Sequence, residues 1–254
     1  MIREERLARI AEYVQARQYV SIEELMRSFG ISKATVRRDL LKLGEGDSIT
    51  LTRGGAIFNE TERYNELIYN EKKSTNPSEK NRIGEAARKL INNDSAVIFD
   101  AGTTTRAMIP FMKDLSGINL VTNDIAIAGD LTSFPGINVT VTGGQMRSDY
   151  YTLRGYIAED LISSMRAEIG FVSFDAIDLS SGCYITNSDE VGVKRKIIEV
   201  SQKVVALCDY TKFSKQAFVS VCPLSDIDIL ITNREVPEGV VESLKKSGIE
   251  VILT

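Results

Sequence analysis

The chain has 254 residues, 43% of them apolar and 26% charged, with a formal net charge of -4. These are the proportions of an ordinary globular protein, and no apolar run approaches the roughly 20 residues a membrane-spanning helix needs. The charge is uneven: residues 1–57 carry 10 Lys/Arg against 8 Asp/Glu, and residues 58–254 carry 21 against 27, so a mildly basic head precedes an acidic body. Such asymmetry predicts two domains with different partners.

The N-terminus, "MIREERLARIAEYV", is charged from the start and lacks a signal-peptide core, which predicts a cytoplasmic protein. Cys183, Cys208 and Cys222 are widely spaced and form no CxxC pair, so free, buried thiols are expected, with no metal and no cofactor.

The first helix is predicted from Arg3 to Ala16, where Leu7, Ile10, Ala11 and Val14 recur at helical spacing. Ser21 followed by Glu24 reads as a capping box, opening a second helix that runs to about Phe29. Gly30 supplies a sharp turn and Ser32 caps a third helix. In that helix Val36, Leu40 and Leu43 fall on one apolar face, leaving Lys33, Thr35, Arg37, Arg38 and Lys42 outward. This is a helix-turn-helix pattern whose second helix carries the residue types DNA demands. Lys and Arg neutralise phosphates, and Arg also reads guanine edges. Ser32 and Thr35 add phosphate contacts near the positive end of the helix dipole. Asp39 is expected to orient a neighbouring arginine. The following "SITLTRGGAI" reads as a β wing, in which Arg53 enters a minor groove while Gly54 and Gly55 bring backbone amides close to phosphates.

"YVSIEELMRSFGISKATVRRDLLKL" followed by "TRGGA" closely resembles the DNA-binding head of DeoR-type bacterial transcriptional repressors. The resemblance implies double-stranded operator DNA as a partner. The family usually has a histidine before the Gly-Gly pair, where this chain has Arg53, and the chain contains no histidine at all. Residues 58–78 are polar, with Pro77 near their end, and are expected to form a linker in which "ERYNELIYNEKK" is a candidate short helix.

The body alternates short β-branched runs ("AVIFD", "NLVTN", "NVTVTGG", "IGFVSFD", "VVALCD", "DILITN", "EVILT") with helical stretches, which predicts βα units around a largely parallel sheet over residues 79–254. Asp100, Asn123, Gly143, Gly144, Asp175, Asp209 and Asn233 stand at or just beyond strand ends. In an open parallel sheet those ends share the edge where ligands bind. The sharpest segment is "VIFDAGTTTRAM". Gly102 and the threonines Thr103, Thr104 and Thr105 open a helix there, offering amides and hydroxyls that suit a phosphate. Lys194 and Lys212 supply countercharge, with Arg195 as a further candidate, and Asp100 and Asp175 suit sugar hydroxyls.

"DAGTTT", "VTN", "TGG", "VKR", "D.TKF" and "PLSDID" resemble the C-terminal sensor of the same family, whose Rossmann-like fold is similar to sugar-phosphate isomerases and glucosamine-6-phosphate deaminases. The resemblance implies a repressor released by a phosphorylated sugar, acting as a homodimer or homotetramer with no catalytic residues. Three departures bear on the pocket. The family's "GADGI" stands here as "SFDAI", where the bulk of Phe174 and the loss of glycine are expected to narrow or reshape the pocket, Asp124 replaces the usual serine after "VTN", and Pro110 interrupts the helix after "GTTT". Tyr150, Tyr151 and Arg154 fall near the site in sequence order. Two alternatives stay open: a DNA-tethered sugar-phosphate isomerase or deaminase, and an activator.

Overall fold

Apolar periodicity folds the head. The computed structural model describes residues 3–17, 19–44, 49–52, 54–58 and 67–254, and the chain divides into two units, Met1–Asn65 and Glu66–Thr254. The first unit runs α1 (Arg3–Arg17), β1 (Tyr19–Ser21), α2 (Ile22–Phe29), α3 (Lys33–Leu43), β2 (Ile49–Leu51) and β3 (Gly55–Phe58). Ile10 and Val14 of α1 pack with Leu25 of α2 and with Val36 and Leu40 of α3. Ser21 caps α2 by accepting from the Glu24 amide at 3.1 Å, and Gly30 ends it at φ 63°. Ser32 caps α3 in the same way through the Thr35 amide. The hairpin β2–β3 forms as expected, but β1 joins it to give an antiparallel order β1-β3-β2. That third strand is three residues long, too short for its alternation to register in sequence.

Asp39 does engage an arginine, but one from another helix. It is fully buried, and its carboxylate accepts from Arg6 of α1 at 2.7 and 3.2 Å. The pair ties α1 to α3 through the interior of the head.

The second unit opens with α4 (Tyr69–Ser74) and α5 (Pro77–Arg88). Residues 67–78, expected as the end of a linker, are therefore structured parts of this unit. Next come β4 (Ala96–Phe99), α6 (Thr103–Arg106), β5 (Ile118–Thr122), α7 (Ile125–Leu131), β6 (Ile137–Val141), β7 (Gln145–Met146), β8 (Leu153–Arg154) and α8 (Tyr156–Ser163). The chain continues through β9 (Ala167–Val172), β10 (Ala176–Asp178), β11 (Gly182–Ile185), α9 (Val191–Val200), β12 (Ser201–Leu207), β13 (Val219–Cys222), β14 (Ile229–Thr232), α10 (Val240–Lys246) and β15 (Glu250–Leu253). Seven strands form one parallel sheet in the order β15-β14-β12-β9-β4-β5-β6.

Both sheet faces are covered, which is why these strands read as continuous apolar runs. Val97, Phe99, Leu120 and Phe171 meet Ile83 and Ala87 of α5 and Ile127 of α7 on one face. Ile98, Val172, Val204 and Leu230 meet Ile162 of α8, Ile197 of α9 and Leu244 of α10 on the other. The chain winds outward from β4 in one direction through β5 and β6, and in the other through β9, β12, β14 and β15. The order reverses between β4 and β9, and the loops after those two strands bound the crevice that such a reversal opens.

Helix α5 lies so close to α6 that no side chain fits between them at Gly84. A methyl there would meet the Ala107 carbonyl oxygen at 2.4 Å. Gly84→Ala is expected to lower unfolding free energy by about 1–3 kcal/mol through overpacking, read from urea midpoints. An unchanged midpoint would refute this packing.

Candidate functional site

On the head, Ser32, Lys33, Arg37, Arg38 and Lys42 are exposed and Thr35 is half-buried. The side chains of Lys33, Arg37 and Arg38 make no ion pair or hydrogen bond among the described residues. One face of α3 thus presents unpaired cations because the other face is spent on Val36, Asp39 and Leu40. Ser32 and Thr35 share a hydrogen bond of 2.9 Å between their hydroxyls at the helix start. Gly54 is exposed, while its carbonyl accepts from the Ile22 amide at 3.0 Å. Gly55 departs from expectation: it is buried, and its amide donates to Thr52 Oγ1 at 3.1 Å, so that amide serves the hairpin rather than a phosphate. Arg53 lies outside the described residues.

In the body, a cleft of about 600 Å³, including space open to solvent, lies at the carboxyl edge of the sheet. Of the expected ligand residues it brings together Gly102, Thr103, Thr104, Asp175, Lys194, Asp209 and Lys212. Lys72, Thr75, Lys80, Ser173, Glu190 and Lys215 join them, and these were not foreseen. Phe174 lines the cleft while packing into the core.

Beneath the cleft, Lys194 and Asp100 form a buried ion pair, 3% and 1% exposed. Lys194 also donates to the Ser173 carbonyl at 3.0 Å, and Asp100 accepts from the Ser173 amide at 3.2 Å. Burial alone would push the Lys194 ammonium towards neutrality, but Asp100 and Glu190 raise its pKa, so it stays charged. Asp100 is thus a structural partner below the floor, not the sugar-hydroxyl acceptor expected of it. Asp175 lines the cleft. Lys72 donates to its Oδ1 at 2.9 Å and the Thr186 amide to its Oδ2 at 2.9 Å. Burial would raise its pKa, yet the Lys72 and Lys212 ammoniums hold it well below the usual carboxylate range.

Lys80 is 5% exposed and donates to the Thr75 carbonyl at 2.7 Å and to that of Lys72. Burial, helped by neighbouring Lys212, lowers its pKa to about 8. Asp209 accepts from the Thr211 amide at 3.0 Å. The ammoniums of Lys212 and Lys215 make no hydrogen bond or ion pair among the described residues.

Four expected ligand residues do other work. Asn123 accepts from the Ala101 amide at 2.8 Å and donates to the Leu153 carbonyl at 3.2 Å, bracing two loops. Gly143 and Gly144 do not line the cleft, and Thr105 is fully buried behind Thr104. Helix α6 is a single turn of four residues, and Pro110 follows in a 3-10 turn, so its dipole is small. The Gly102 amide is occupied by Asp124 Oδ2 at 3.3 Å. Arg195 turns away to the carbonyls of Ser220 and Val221. Tyr150 does reach this region, donating to the Leu67 carbonyl at 2.9 Å.

A signal for Lys80 existed in the sequence. With Ile83, Gly84 and Ala87 it occupies the buried face of α5, and a lysine on an apolar face needs a reason. Among the described residues no cluster of three or more His, Cys, Asp or Glu side chains could hold a metal, and no helix is long and apolar enough to cross a membrane.

A capped cation-faced helix with a hairpin, and a separate α/β unit with a polar cleft, define a two-unit DNA-binding regulator with a sensor. Residues 6–62 match the DeoR-like helix-turn-helix domain and residues 75–234 the DeoR C terminal sensor domain, so the chain belongs to the DeoR family of transcriptional regulators. It is 32% identical over 256 residues to the HTH-type transcriptional repressor GlcR of Bacillus subtilis (strain 168), covering 100% of this chain and 97% of that one. It is 31% identical over 244 residues to the glycerol-3-phosphate regulon repressor of Escherichia coli (strain K12), covering 96% of each. Ribose 5-phosphate isomerase A of Methanocaldococcus jannaschii superposes with a TM-score of 0.40 and 11% identity over 55% of each chain, a likeness too slight to bear on function.

Asp124 gives a pH test of the cleft's edge. It caps α7 through the amides of Ala126 and Ile127, and burial pushes its carboxyl up to about 6. The folded state therefore holds this proton more tightly than the unfolded state, and stability falls as pH rises from about 4 to about 6. Asp124→Asn should gain on the wild type by on the order of 2 kcal/mol across that window, read from denaturation at each pH. A pH-independent difference would refute the assignment.

Proposed function

We propose that this protein is a repressor that holds operator DNA through the exposed cation face of α3 and releases it when a phosphorylated sugar or polyol fills the cleft. The observation that carries the reading is the surplus of ammonium groups at the carboxyl edge of the sheet. Five lysines line the cleft against three carboxylates. Asp175 is taken by Lys72, Glu190 by Arg147 and Asp209 by Thr211, which leaves Lys212 and Lys215 available to an anion. Asp175, which lines the cleft with hydrogen bonds already set, is an acceptor for a sugar hydroxyl. The relatives' names, a glycerol-3-phosphate regulon repressor among them, support repression and a small phosphate ester.

The site reads as one that binds rather than catalyses. Its Asp100 carboxylate is sealed into an ion pair, and the chain has no histidine to move protons near neutral pH. Heads paired through a homodimer or homotetramer would engage repeated half-sites, and ligand binding would favour an assembly that no longer matches their spacing. The site of action is the cytoplasm, where operator and metabolite meet. Linkage makes the coupling reciprocal, so operator DNA weakens ligand binding by the same factor.

Two experiments test this. Selection from a random DNA pool should yield a specific duplex. Arg37→Ala and Arg38→Ala should each weaken its binding and flatten the salt dependence by about one unit of slope per lost phosphate contact. Unaltered binding by both variants would remove α3 from the interface. A thermal-shift panel of phosphorylated sugars and polyols should stabilise the protein, by about 2.7 kcal/mol at a hundredfold excess over Kd. Affinity should decline as pH rises through about 8, where Lys80 loses its proton. No shift from any phosphate ester would sink the ligand class.

A further inference from the structure

The first described residues of the sensor unit form part of the cleft. Leu67, Lys72 and Thr75 line it, so the segment entering from the DNA-binding unit is itself a wall of the site. Of the six residues of α4 only Tyr69 is buried, and a helix this short has no stability of its own. Polar tethers hold it in place. Tyr150 donates to the Leu67 carbonyl, Arg106 donates to the Tyr69 hydroxyl at 3.3 Å, and Lys80 holds the carbonyls of Lys72 and Thr75. Between these tethers Lys72 is bound to Asp175 at 2.9 Å.

Lys72 is the tether an anion can compete for. Its partner Asp175 lines the same cleft and is also stabilised by Lys212, one of the two unengaged ammoniums. A phosphate drawn to Lys212 brings negative charge towards Asp175, and like charges in a confined site separate or exchange partners. Elements with few buried apolar contacts are the ones that move at low cost. We propose that Lys72 is the coupling residue of this regulator: an anion in the cleft takes Lys72 from Asp175 and re-seats α4, the helix that begins a few residues after the DNA-binding unit ends at Asn65. This inference rests on the reading of the cleft as a phosphate-ester site.

The test uses the full chain, inorganic phosphate against chloride at matched ionic strength, and the duplex selected by the wild type. In the wild type phosphate should raise Tm, alter hydrogen exchange of the amides in residues 69–75, and weaken the duplex by roughly fivefold to a hundredfold. Lys72→Gln should still show a Tm rise at higher phosphate concentration, which also shows that it folds, but its duplex affinity should no longer respond. Lys72→Arg should restore the response. A Lys72→Gln protein whose duplex affinity still falls as in the wild type would overturn the inference, as would a wild-type Tm rise with no change in residues 69–75. Failure of phosphate and of every phosphate ester to shift the wild-type Tm would overturn the ligand reading and this inference with it.

Discussion

The ion pair between Lys194 and Asp100 sets the geometry on which the sensor unit depends. It lies where the strand order reverses, joining the end of β4 to α9, and both partners grip Ser173 just beyond β9. Two charges removed from water are costly to bury, and apolar replacements of equal volume often stabilise a protein as well or better. The pair therefore contributes position more than stability. It holds the loops after β4 and β9 at a fixed spacing, and Gly102, Thr103, Thr104 and Asp175 reach the cleft from those loops.

A second layer of charge rests on that floor. Each carboxylate lining the cleft already has a donor, whereas the ammoniums of Lys212 and Lys215 have no hydrogen-bond or ion-pair partner among the described residues. The imbalance is local: the body as a whole carries six more acidic than basic residues. An acidic body with a cationic cleft suits a small anion better than a polymer, because the surrounding negative surface repels a long polyanion while the interior attracts a single phosphate.

Much of this was legible in sequence, for physical reasons that also mark where reading stopped. Helical and strand periodicity record which face is buried, so Val36 and Leu40 announced α3, and the β-branched runs announced the sheet. Side-chain partners across long sequence separations leave no such trace. Asp39 reaches Arg6 and Lys72 reaches Asp175, and nothing local to either residue points to the other. Asn123 and Asp100 looked like ligand residues because strand-end polar residues serve equally to brace loops. The short α4 was legible only as a candidate helix within "ERYNELIYNEKK", because six residues are too few for an apolar stripe and only Tyr69 among them is buried.

The mild charge of the head raises the question of how it can attract DNA at all. Electrostatic attraction to a phosphate is decided within about 8 Å at physiological salt, so net charge matters less than which charges lie on one surface. Three cations fall within six residues of α3, and among the described residues none is paired with a carboxylate in the way Arg6 is paired with Asp39. Burying Asp39 therefore has two effects. It locks α1 against α3, and it removes the one acidic side chain of α3 from the surface that carries Lys33, Arg37 and Arg38. An exposed carboxylate at that position would offset the positive potential of Arg37 and Arg38.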